Sequence, residues 1–160
     1  MIYIEEEIMK EHWRETIADY DFPQTIILAK HLGVDLDDAQ GEIDSEDYLV
    51  LTDEEADEAV REAIEESLWA FTPSFLSWHT GVDEEVFVAL AGRCEANNDS
   101  YKGMIKDFDA FVEQAVGADG RGHFLNPYDG QEHDCNWQTV EHKDGKYETV
   151  TTEYYIYRRN

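Results

Sequence analysis

His133 to Arg159 reads HDCNWQTVEHKDGKYETVTTEYYIYRR, two β-rich runs on either side of Asp144-Gly145. Asp-Gly between such runs is a short-range hairpin signal, because both central positions of the tight turn require positive φ. The second run is dense in Thr, Val, Ile and Tyr, side chains that suit a pleated, half-buried surface. An antiparallel hairpin is therefore expected here. Just upstream, HFL at 123–125 fits a short strand and NPYDG at 126–130 a turn, so strand grammar is expected from Gly120 onward.

Before Gly120 the grammar is helical. In LTDEEADEAVREAIEESLWAF, Leu51 to Phe71, Thr52 and Glu55 have capping-box spacing, and Ala56, Ala59, Val60, Ala63, Ile64 and Leu68 fall on one helical face. TPSFLSWHTG predicts a helical turn opened by Pro73 and closed by Gly81. VDEEVFVALAGRCEAN places Val86, Leu90 and Cys94 on one side, and DFDAFVEQAVG places Phe108, Phe111, Val112 and Ala115 likewise. QTIILAKHLG predicts a helix closed by Gly33, and Ile4, Ile8, Trp13 and Ile17 suggest another over 4–18.

Residues 35–47, DLDDAQGEIDSED, are acidic and poor in apolar side chains, so a loop is expected, followed by a short buried strand at Tyr48 to Leu51. The predicted assembly is α+β: a helical layer of about five helices packed on a small antiparallel sheet with a C-terminal hairpin. It reads as a single acidic domain over 1–160, divided into 1–47, 48–118 and 119–160.

At 160 residues, 42% hydrophobic and 12% aromatic, the chain is long and apolar enough for a real core rather than a disordered acidic tail. The outlier is charge: 38 acids against 12 bases give −26. Such a surface repels itself and gains nothing from counterion release, so nucleic acid and anionic membranes are poor direct partners. Basic proteins, divalent cations and high-salt solvent remain. Cys94 and Cys135 form no CxxC pattern, no signal peptide is evident and no apolar run is long enough to span a bilayer, so a cytoplasmic location is expected.

YLVLTDEEADEAVREAIEESLWAF, continued by SFLSWHTG, ADGRGHFLNPYDG and the terminal YYIYRRN, resembles a family of small acidic proteins of bacteriophages, prophages and mobile elements. The resemblance covers about residues 48–160 and is carried most specifically by LTDEEADEA. It implies a setting, the cytoplasm of a phage-infected bacterium, and carries over no catalytic residue.

The motifs argue against an enzyme. Setting Gly41 at position six of an EF-hand loop puts Leu36 at position one and Gln40 at position five, so that pattern fails. His133, Cys135 and His142, with His123 upstream, match no closed zinc spacing and read more simply as a core thiol beside surface histidines. Ser74, Ser77 and His79 lie in no nucleophile elbow. GADGRGHF runs from helix through glycines to strand, the reverse of a phosphate loop, so a helix cap with Arg121 pairing a nearby acid explains it. LAKHLGVDLDDAQ is similar to the start of a helix-turn-helix, but Asp35, Asp37 and Asp38 would repel phosphates where the recognition helix should begin. No catalytic residue, metal ligand or cofactor is assigned.

What remains is the negative surface. Within 35–66 there are 15 acids and one base. Glu54, Glu58, Glu62 and Glu66 recur every four residues, about 6 Å apart along a helix and of the same order as neighbouring phosphates on a nucleic-acid strand. Asp57 and Glu65 broaden the row, and Arg61 is the base placed to offset them. Together with Asp35, Asp37, Asp38, Glu42, Asp44, Glu46 and Asp47 these are the candidate partner-binding residues.

The expected partner is a basic host protein, a nuclease, polymerase or other nucleic-acid-binding protein. A DNA-mimic inhibitor of host defence would work this way, and the chain is similar to antirestriction and anti-CRISPR proteins in size and charge. Three alternatives stay open: a metal-binding domain or metal-dependent enzyme using the His/Cys cluster, an acidic domain of a salt-adapted proteome with no dedicated partner, and a homodimer formed through the Tyr-rich last strand.

Overall fold

The computed structural model describes residues 21–160, so the helix expected over 4–18 lies outside the described residues. The fold is α+β, and its contacts group into two compact units where the sequence reads as one domain. The first holds residues up to Asp53 together with Glu132–Asn160, and the second is Glu54–Gln131.

In the first unit, α1 (Gln24–Leu32) ends at Gly33, whose φ of 70° is the left-handed cap expected there. Strand β1 (Tyr48–Thr52) pairs antiparallel with the end of β3 (Lys146–Arg158), which in turn pairs along its length with β2 (His133–Lys143). The β2–β3 hairpin turns at Asp144 and Gly145, with φ of 53° and 77°, as the Asp-Gly signal requires. The strand order β1-β3-β2 puts β3 in the middle, so over 154–156 both its edges are already paired. A dimer formed edge to edge would therefore use β1 or β2 rather than that part of the last strand.

The core of this unit is Ile27, Leu28 and Ala29 from α1 and Val50, Tyr154 and Ile156 from the sheet, together with Ala39. Ala39 belongs to a helix where the sequence suggested a loop: α2 runs from Leu36 to Asp44. Its acids are what build it. The Asp35 side chain accepts from the Asp38 backbone N–H at 2.9 Å as an N-cap, and Asp37 and Asp38 sit in the first turn, where the helix dipole favours negative charge. Leu36 and Ile43 pack against the core beside Ala39, so three apolar side chains suffice to dock the helix. Gln40 ties it to α1 by bonding the Asp21 backbone N–H and the Thr25 hydroxyl.

The second unit is helical among its described residues. Helix α3 (Asp53–Glu66) crosses the boundary at its first residue and buries Ala56, Val60 and Ile64, the predicted stripe, with Leu68 continuing it in a 3-10 turn. Helix α4 (Pro73–Thr80) begins at Pro73 and closes on Gly81 at φ 72°, as expected. Helix α5 (Glu84–Leu90) departs from the expected face. Val86 is 42% exposed and Cys94 is exposed with φ 47°, while Phe87 is buried with its ring 5.2 Å from that of Tyr101 on α6 (Asn98–Met104). A seven-residue helix has room for one deep anchor and uses its largest apolar side chain; the 3-10 stretch Ala91–Asn97 then breaks the periodicity.

Helix α7 (Phe108–Asp119) buries Phe111 and Ala115 and ends at Gly120, φ 79°. The predicted strand at HFL is instead part of α8 (Arg121–Leu125). Gly122, a poor helix former, is there because an added Cβ would lie 2.3 Å from the Gly130 carbonyl oxygen. The turn after α8 is held by buried Asn126, whose amide donates to Asp129 and to the Gln131 carbonyl at 2.8 Å each.

Candidate functional site

Helix α3 carries the glutamate row. Its apolar stripe is buried, and Glu54, Glu58, Glu62 and Glu66 are exposed on the opposite side. Residues four apart on a helix form a ridge inclined about 26° to its axis, so the row slants across the surface over three steps of about 6 Å. Among the described residues none of the four makes an ion pair.

The side chains expected to broaden the row are engaged within the unit. Asp57 accepts from Arg121 at 2.9 Å, which gives Arg121 the acid partner its sequence context suggested. Glu65 pairs with Lys102 of α6. Arg61, expected to offset Asp57 and Glu65, pairs with Asp109 instead, with its guanidinium 4.7 Å from the centre of the Phe108 ring. It reaches across to α7 because packing on an aromatic face adds to the charge pairing. The long-range cations answer the flanking acids and leave the row unpaired. Nothing in the local sequence signals this, since Arg121 and Lys102 are 64 and 37 positions from their partners.

The acids of 35–47 belong to the first unit and have structural roles. Asp35 caps α2, Asp37 and Asp38 fill its first turn, and Asp44 accepts from Gln40 at 2.9 Å. Glu46, with φ 59°, pairs with Arg159 at 3.7 Å, and the Asp47 carbonyl accepts from the Arg159 backbone N–H at 2.7 Å. Glu42 is half-buried on α2. Asp35, Asp37, Asp38, Asp44 and Glu46 thus serve the helix and its exit turn.

The soft ligands are not brought together. His133 and His142 sit opposite Ile156 and Tyr147, at the two ends of β2 and roughly 30 Å apart at strand rise. His123 lies on α8 of the second unit. Among the described residues no group of three or more His, Cys, Asp or Glu side chains is placed to hold a metal ion. His133 has a different neighbour: its ring lies 4.9 Å from that of His31 on α1. Burial, and secondarily the nearby His133, hold the His31 pKa below the ordinary histidine value. His79 is buried between Phe75 and Phe111, with ring centroids at 4.7 and 4.8 Å, and among the described residues its Nε2 has no hydrogen-bond partner.

The concave surfaces of the second unit have no counterpart in the sequence reading; besides one between α3 and α7 that Glu58 and Arg61 help line, there is a second. A cavity of about 400 Å³ in the second unit is lined by Phe71, Phe75 and Phe124, by Ala115 and Ala118, and by Asp119 and His123 at its polar side. Its lining runs from Ser67 to Phe124 in sequence and is made of common core residues, so it has no local motif. Among the described residues no helix is long and apolar enough to cross a membrane. No protein-family model, curated protein or solved structure matches the chain.

Proposed function

We propose that this is a non-enzymatic bacteriophage accessory protein. It acts in the cytoplasm of the infected bacterium and binds a basic host protein, one that itself binds nucleic acid, by presenting carboxylates in place of phosphates. The observation that carries the reading is the row Glu54, Glu58, Glu62 and Glu66: exposed, and without a cation among the described residues although Arg61 lies on the same helix and pairs elsewhere. Like charges four apart on a helix each cost a few tenths of a kcal/mol, so a helix shaped by stability alone would intersperse lysines. An Arg- and Lys-lined groove would reverse that cost, and the net charge of −26 would steer the encounter.

The test is a pull-down from host lysate at low and high salt, with the wild-type chain beside a variant in which Glu54, Glu58, Glu62 and Glu66 are all Gln. The expected outcome is a basic protein captured by the wild type at low salt, released at high salt and absent from the variant, with the variant's circular dichroism unchanged. Equal capture by both chains would remove the row from the mechanism.

A further inference from the structure

None of the four row residues lines the cavity beside the end of α7. Its volume of about 400 Å³ is within the range of small-molecule sites. Three phenyl rings supply its apolar part: Phe71 is near-parallel to Phe75 at 5.3 Å and to Phe124 at 6.1 Å between centroids. The small side chains of Ala115 and Ala118 leave the space open on the α7 side.

The polar groups are unequal. The Ser67 hydroxyl donates to the Ala63 carbonyl at 2.7 Å, and the Thr72 oxygen accepts the Phe75 backbone N–H as the cap of α4. Asp119 differs, because among the described residues its carboxylate has no ion pair. It is also the last residue of α7, a helix with no base in its final turn. The C-terminal carbonyls of a helix already carry partial negative charge, and a carboxylate there is unfavourable unless a cation joins it. A phenyl-lined cavity bounded by a carboxylate, a helix C-terminus and the His123 imidazole, with the carboxylate its one acid, is complementary to an apolar body bearing one positive charge. An anion would meet Asp119, that helix end and a chain of net charge −26.

We propose that this cavity binds an arylalkylammonium ion, with its ring among Phe71, Phe75 and Phe124 and its protonated amine at Asp119. The test uses three probes of one shape: 2-phenylethylammonium, the neutral 2-phenylethanol and the anionic 3-phenylpropanoate. Each is titrated into the full chain while the Ala115 and Ala118 methyl resonances are followed by NMR. The ammonium should shift both methyls saturably and bind about threefold more tightly than the alcohol, since Asp119 is exposed and its pairing is screened by water, and the carboxylate should not bind. Asp119→Asn should reduce the ammonium to the affinity of the alcohol. Glu113→Gln, which removes the same charge from the same helix away from the cavity lining, should leave it unchanged. Failure of the ammonium to shift these methyls, equal affinity for ammonium and alcohol, or wild-type affinity in Asp119→Asn would each overturn the assignment.

Discussion

Arg121, the first residue of α8, donates from Nη1 to Asp57 Oδ1 on α3 at 2.9 Å, with its own side chain 11% exposed and that of Asp57 68% exposed. The asymmetry decides which partner matters for stability. Arg121 has buried most of its stem, whereas Asp57 remains in water, where the charge pair is screened. Arg121→Ala should therefore destabilise the protein by about 1–3 kcal/mol and Asp57→Asn by less than about 1 kcal/mol. Urea denaturation of the two variants makes the comparison; equal losses would place the energy in the ion pair rather than in the packed stem.

Two glycines near one another in sequence should respond in opposite directions to alanine. At Gly122 the new Cβ meets the Gly130 carbonyl oxygen at 2.3 Å, a backbone atom held by the Asn126 turn, so the chain must shift to admit it. Gly117 lies within α7 with nothing in 4 Å of its Cβ position. Gly122→Ala should cost about 1–3 kcal/mol, and Gly117→Ala should add about 0.5–1 kcal/mol through helix propensity. Thermal melts of the two variants are expected to move to either side of the wild type.

The His31–His133 pair makes the first unit acid-sensitive. The folded His31 pKa is lowered, first by burial and then by His133, so the unfolded chain binds the proton more readily. The stability this provides is complete above the ordinary histidine pKa of about 6.5 and is lost as pH falls from there through the lower folded value. His133→Gln removes the lesser cause. NMR titration of the His31 ring should show its pKa rising in that variant while staying below the unfolded value; a return to the unfolded value would make His133, not burial, the main cause.

The parts of this fold that were legible in sequence are those set by neighbours in the chain. Asp144-Gly145 fixed the hairpin, Gly33, Gly81 and Gly120 marked helix ends, and the Ala56 to Leu68 stripe identified the buried face of α3. What escaped depends on partners far away. Residues 35–47 looked like a loop because their acids outnumber their apolar side chains, yet Leu36, Ala39 and Ile43 dock α2 once the sheet exists to receive them. The face of α5 is chosen by Tyr101, and the central place of β3 by a pairing between 48–52 and 154–158 that no local pattern encodes. The glutamate row was visible as spacing; that Asp57, Glu65 and Arg61 would all find partners outside it was not.

Stability and recognition pull apart at Glu62. It stands between Glu58 and Glu66 on the exposed side of α3, each four residues away, so Glu62→Lys converts two repulsions into two attractions. At low ionic strength the variant should be more stable by about 0.5–1 kcal/mol, and most of that gain should vanish by about 1 M salt, where the screening length falls to roughly 3 Å. A row kept for a basic partner predicts that the same substitution weakens capture of that partner by about tenfold or more, since it removes one charge from the array and adds a repulsive one. A row that merely solvates the protein predicts the gain in stability with no loss of binding. Denaturation and pull-down on this single variant therefore separate the two: a more stable protein that binds as before would leave the acidity without a partner to explain it.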